Sequence, residues 1–210
     1  MEIDADIMTL RGEELEAAAN GINPASLDAA KVAVAIDCEE YLRWADLFTE
    51  RLGIVEPSEL HKFARALSLT MLGHLPTRPG TCPFCIQYGR DNSCLDCGYA
   101  ATHGRCDEVD SAFSIFIEAF MEMGRLIYQD INELKYHPIY AKMQLNIAIE
   151  TSVGLATRMQ DDLPSASTLQ LMQQKAAYLD GMINALPVEL LGEDIKGQCR
   201  LVQKALLNYW

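Results

Sequence analysis

Apolar side chains recur at helical spacing along almost the whole chain. From Ser111 onward, Phe113, Phe116, Phe120, Met123, Ile127, Ile131 and Leu134 step by threes and fours, the buried stripe of one helix. Pro138 suits a first helical position and opens a helix reaching about Met159. Ser165 or Ser167 caps the next, whose stripe is Leu169, Met172, Ala176, Leu179, Ile183 and Leu186. A last helix carries Leu191, Ile195, Cys199, Val202 and Leu206. In the first half, a helix from Leu10 to Asn20 stops at Gly21. Asn23 or Ser26 then caps a long one running to about Leu52, with Gly53 as its stop. Pro57 and Gly73 bracket a third, on which Leu60, Phe63, Leu67 and Met71 share a face.

The joints Lys135 to His137 and Asp161 to Pro164 are short, which predicts antiparallel neighbours. No Asn-Gly or Asp-Gly turn separates two alternating apolar runs, so no hairpin is expected. The pattern predicts an all-α protein, an antiparallel helical bundle of six or seven helices forming a single helical domain over 1–210. Its N-terminal helical part is 10–73 and its C-terminal four-helix part 108–208. Between them lies a segment, about 76–106, rich in Gly, Pro, Asn and Cys and without helical periodicity. Loops of that length inside compact domains are usually functional or stapled.

Composition narrows the function. The chain has 210 residues, and at that size a core forms without covalent staples, so its 7 cysteines are not needed for stability alone. Acidic groups outnumber basic ones 30 to 17, for a net charge of −13. The deficit is shared: 1–105 holds nine basic and sixteen acidic residues, 106–210 eight and fourteen. No Lys/Arg cluster of the kind that neutralises phosphates exists, which argues against nucleic acid. No apolar run approaches the ~20 residues needed to cross a bilayer. The start, Met1-Glu2-Ile3-Asp4-Ala5-Asp6, is acidic where a secretory signal is basic and then apolar. A cytoplasmic protein is expected, in a reducing compartment where paired cysteines read as metal or redox chemistry.

Five of the cysteines fall within twenty-five residues. Thr81-Cys82-Pro83-Phe84-Cys85 is followed by eight residues, then Cys94-Leu95-Asp96-Cys97, then eight more to Cys106, with His103 three before the last. A two-residue gap lets a turn aim both sulfurs at one point, and two such turns close a tetrahedron around Zn²⁺. The favoured set is Cys82, Cys85, Cys94 and Cys97. A second partition uses Cys94, Cys97, His103 and Cys106 and leaves Cys82 and Cys85 as a free dithiol. A third places four of the five thiols on an iron–sulfur cluster, which spacing does not separate from zinc. His74, just past Gly73, is a further ligand candidate. Arg90 and Arg105 read first as solvated loop arginines, with donation to thiolate sulfurs as the alternative. The segment itself offers little apolar content, so a metal is expected to supply its order.

Over five residues, Thr81 to Cys85 resembles the C-P-[YF]-C active site of glutaredoxins. In that family a strand leads into a helix whose N-terminus acidifies the first thiol. Here Phe63 to Leu72 is helical and nothing downstream follows a thioredoxin pattern, so only the chemistry carries over: Cys82, if free of metal at a helix start, is expected to be a low-pKa thiol.

Other chemistry is sparse. Glu118, Glu122, Glu133 and Glu150 are followed three residues later by Met121, Arg125, Tyr136 and Val153, never by His, which disfavours a di-metal carboxylate site. No nucleophile elbow, phosphate loop or dinucleotide fingerprint occurs. No catalytic residue is assigned and enzymatic activity stays open. Cys38 and Cys199 lie on helical stripes and read as core. His61 reads as a boundary residue and His137 as part of a helix entry. Tyr209-Trp210 ends the chain as an aromatic pair. The functional expectation is a structural Cys₄ site, zinc by preference, in a binding or adaptor module with a protein partner or self-association. The alternatives are an iron–sulfur or dithiol redox protein and a small-ligand-binding bundle.

Overall fold

The computed structural model describes residues 5–89, 93–131 and 136–209. Its regular structure there is helical, with no strand among the described residues. Seven longer helices are α1 (Ala5–Asn20), α2 (Pro24–Leu52), α3 (Leu60–Gly73), α6 (Ala112–Gln129), α7 (Pro138–Asp162), α8 (Thr168–Asn184) and α9 (Glu193–Tyr209). Two six-residue helices, α4 (Pro83–Tyr88) and α5 (Gly98–His103), lie within the cysteine segment.

Helix starts follow local chemistry. Asn23, rather than Ser26, caps α2: its side chain accepts from the Ser26 amide, and Pro24 contributes no competing N–H. Ser111 caps α6 through the Ser114 amide. Ser167 rather than Ser165 opens α8, because Gln170 reaches back to the Ser167 amide and completes a capping box. The His137 ring accepts from the Ile139 amide at the entry to α7.

One stripe ends earlier than its spacing suggests. Helix α6 stops at Gln129, and the next residue, Asp130, turns to extended backbone (ψ 111°). Ile131 is consequently 89% exposed instead of buried, and Leu134 lies outside the described residues. The cause is Asp130 itself, whose buried carboxylate accepts from the Gly192 amide at 2.8 Å and lies 3.1 Å from His61 Nε2. Satisfying those groups outweighs one more turn of helix.

Two packing pairs dominate. Helices α2 and α7 run antiparallel, with Lys31 Nζ on the Pro164 carbonyl, Tyr41 on Ser152 and Lys142 Nζ on the Gly53 carbonyl. Helices α6 and α9 also run antiparallel: Gln198 reaches Ala119, Cys199 meets Met123, and Gly192 meets Asp130. Helix α3 touches α2, α6, α7 and α8, and so lies centrally between the pairs.

Candidate functional site

The cysteine segment leaves α3 through Leu75 and a 3₁₀ turn over Pro79–Thr81. Thr81 is fully buried, and its hydroxyl lies 2.8 Å from both the Pro76 and Arg78 carbonyls, which fixes the turn. Cys82 follows in extended conformation as the residue capping α4, and Pro83 occupies the first helical position. The second pair is built alike. Cys94 lies in the 3₁₀ turn Ser93–Asp96, and Cys97 caps α5. Past α5, Gly104 adopts φ +79°, a left-handed conformation that glycine takes without strain, and turns the chain toward Cys106.

Contrary to the expectation of little apolar content, the segment has apolar anchors. Phe84 and Tyr99 are both buried in the main core with ring centroids 6.0 Å apart. Helix α4 packs on α2, and α5 packs on α1. A Cβ at Gly98 would collide with Ala18, so the close passage of α5 over α1 requires glycine there. Gln87 ties α4 to the joint between α1 and α2, accepting from Asn23 and donating to the Gly21 carbonyl.

The thiols converge. The Cys85 thiol sits between those of Cys82 and Cys106, in hydrogen-bonding contact with both. Cys97 lies within electrostatic reach of Cys82 and Cys85, and Cys94 within reach of Cys97. Cys82 and Cys97 are buried; Cys85, Cys94 and Cys106 are half-buried. Among the described residues no three His, Cys, Asp or Glu side chains already meet at a metal-holding spacing. The sulfurs share one region rather than one point.

As free thiols these groups hold their protons. Contact with Cys85 and then burial push Cys82 well above the usual thiol range. Contact with Cys106 is the main cause that raises Cys85 to about 12. Burial raises Cys97, while the Ala100 and Tyr99 amides in the first turn of α5 oppose it. The position of Cys82 at a helix start is therefore as anticipated, but its acidity is reversed: proximity of other thiols and loss of solvent outweigh one short helix.

The other candidates are placed elsewhere in the local network. His103 ends α5 with its ring stacked on Tyr99 at 4.4 Å and its Nδ1 2.6 Å from the Thr102 hydroxyl. His74 caps α3 with Nδ1 2.8 Å from the Thr70 carbonyl, and its ring is near Tyr41. Arg105 makes a two-pronged contact with Asp107, two residues on, while staying within electrostatic reach of Cys94; Arg90 lies outside the described residues. Cys38 and Cys199 are core, with Cys38 against Tyr178 and Cys199 3.5 Å from the Met123 sulfur. Glu118 and Glu150 are exposed and Glu122 pairs with Arg125; Glu133 is outside the described residues, as are the side chains of Tyr209 and Trp210.

Periodicity gave no sign of two features. Lys175, on α8, is 4% exposed and donates to the Thr81 carbonyl at 2.7 Å and to its hydroxyl at 3.1 Å. Asp37, on α2, is 6% exposed; Arg78 engages one carboxylate oxygen and leaves the other without a partner. Both sit on stripes as lone polar residues, which is the signal that could have found them. A groove of about 530 Å³ opens at the end of α2, lined by Trp44, Leu47, Phe48, Ile54, Val55 and Phe63 among others. No helix is long and apolar enough to cross a membrane, among the described residues. No family model, curated protein or solved structure matches the chain.

Proposed function

We propose that this chain is a cytosolic metal-binding protein, an antiparallel helical bundle in one domain whose segment 76–106 is stapled by a structural tetrathiolate centre, zinc by preference. The observation that carries the reading is the convergence of thiols from three separate stretches, with Cys85 in contact with Cys82 and Cys106 and within reach of Cys97. Of the favoured set Cys82, Cys85, Cys94 and Cys97, the first two and Cys97 are kept. Cys106 takes the fourth place ahead of Cys94, because it touches Cys85 directly whereas Cys94 neighbours Cys97. A divalent metal would displace the thiol protons and draw the sulfurs together, and its binding energy adds to local order. Four protein thiolates leave no open position for a reacting water, so the centre is structural. The apolar groove beside Trp44 supports the binding or adaptor role, as a seat for an apolar stretch of a protein partner.

Metal analysis of protein purified without oxygen tests this. One zinc per chain in a colourless protein is expected, lost on Cys85→Ser and weakened more by Cys106→Ser than by Cys94→Ser. Iron with sulfide and a brown colour would transfer the same ligands to a cluster. Metal content unchanged by Cys85→Ser would overturn the site.

A further inference from the structure

Lys175 is buried to a degree that an ammonium group seldom tolerates without an anion. Its two hydrogen bonds go to neutral acceptors, the carbonyl and hydroxyl of Thr81. Asp37 is the carboxylate within its electrostatic reach, and that group is already engaged by Arg78. The other groups that act on Lys175 are the thiols of Cys82 and Cys85, of which Cys82 directly follows the residue Lys175 holds. While protonated, those thiols give the ammonium no counter-charge. Once they bind a divalent metal, four thiolates carry a net −2 on the centre, and a cation fixed against the Thr81 strap offsets half of it.

We infer that Lys175 is the built-in counter-ion of the thiolate centre, a positioning residue that raises metal affinity through its charge and not through the bonds it makes to Thr81. The inference rests on the metal reading above and adds to it a residue from α8, ninety-three positions downstream of Cys82. It also explains why the strap is threaded past α8: the buried Thr81 turn is the only described contact that holds the ammonium by hydrogen bonds beside the sulfurs.

Titration of the full-length, metal-free chain with Co²⁺ tests the proposal, since thiolate-to-cobalt absorption reports both affinity and the number of sulfurs bound. Lys175→Gln keeps a donor for Thr81 and removes the charge. It is expected to bind Co²⁺ at least tenfold more weakly than the wild type, with the same number of thiolates. Lys175→Arg, which restores the charge, is expected to recover most of that loss. Thr81→Val, which deletes the hydroxyl's bond with Lys175 together with its bonds to the Pro76 and Arg78 carbonyls and keeps the charge, is expected to lose less affinity than Lys175→Gln does. Lys175→Met repeats the neutral case, and circular dichroism identifies any variant that fails to fold. The proposal is overturned if folded Lys175→Gln matches the wild type, or if Thr81→Val loses as much as Lys175→Gln does. A wild-type chain that binds no metal in any form sinks the centre itself, an outcome distinct from either of these.

Discussion

At the scale of single residues, the buried thiols and the close approach at Gly98 make the sharpest predictions. Cys85 is raised to about 12, and Cys38 and Cys199 to about 11, from an ordinary 9.0. A folded-state pKa above the unfolded one means the native protein binds the proton more tightly. That stabilisation is complete below the unfolded value and is lost as pH rises toward the folded one. The denaturation midpoint of the metal-free protein is thus expected to fall between about pH 9 and 12, as read by urea unfolding at successive pH values; a flat profile would contradict the burial of these groups. In the metal-free protein, alkylation of Cys82 near neutral pH is expected to be slower than that of a free model thiol, because little thiolate is present. Gly98→Ala forces a methyl group into Ala18 and is expected to cost about 1–3 kcal/mol, measurable as a lowered melting temperature. Arg78→Ala leaves the Asp37 carboxylate buried with neither oxygen paired, which is expected to cost about 1–3 kcal/mol. Asp37→Asn in the same background should recover part of that loss.

At the scale of elements, most of the helices were legible because each local signal agreed with the others. Ser167 and Gln170 form the capping box that starts α8, and Ser167→Ala is expected to cost about 1 kcal/mol of stability in denaturant unfolding. Leu67 and Met71 on α3, and Phe116, Met123 and Ile127 on α6, are buried as their spacing of three and four requires. The end of α6 was not legible. Apolar spacing carried its stripe on to Ile131, while Asp130 answered to an amide at Gly192, sixty-two residues away, that no local window contains. The short α4 and α5 escaped notice for a related reason. Six residues are too few to show a period, and their stability comes from Phe84 and Tyr99 entering a core assembled from other helices.

At the scale of the whole molecule, the cysteine segment enters the core through Phe84 and Tyr99, with Cys82 and Cys97 buried beside them and Cys85 and Cys106 packed against it. Removing metal is expected to loosen 76–106 without melting α2, α3, α6 or α7, since α2 packs on α7, and α3 on α2, α6 and α7, directly. Limited proteolysis with and without a chelator, followed by mass mapping, checks this: new cleavage confined to that segment is expected, and cleavage spread over the chain would show that metal holds the entire fold. Helical signal in circular dichroism should fall only slightly in the same experiment.

The sequence by itself determined that the chain is helical, where most helices begin, which faces turn inward, and that Cys82, Cys85, Cys94, Cys97 and Cys106 form its main concentration of chemistry. Those properties are set by neighbours three or four residues apart, or by residue type alone. The tertiary structure decided which thiols touch, why Cys82 is held protonated, and that a lysine from α8 and an aspartate from α2 are buried close by. Each of these depends on desolvation and on approach between segments distant in the chain. Neither quantity has a local signature, so the pattern revealed a place for the chemistry and only packing set its charge.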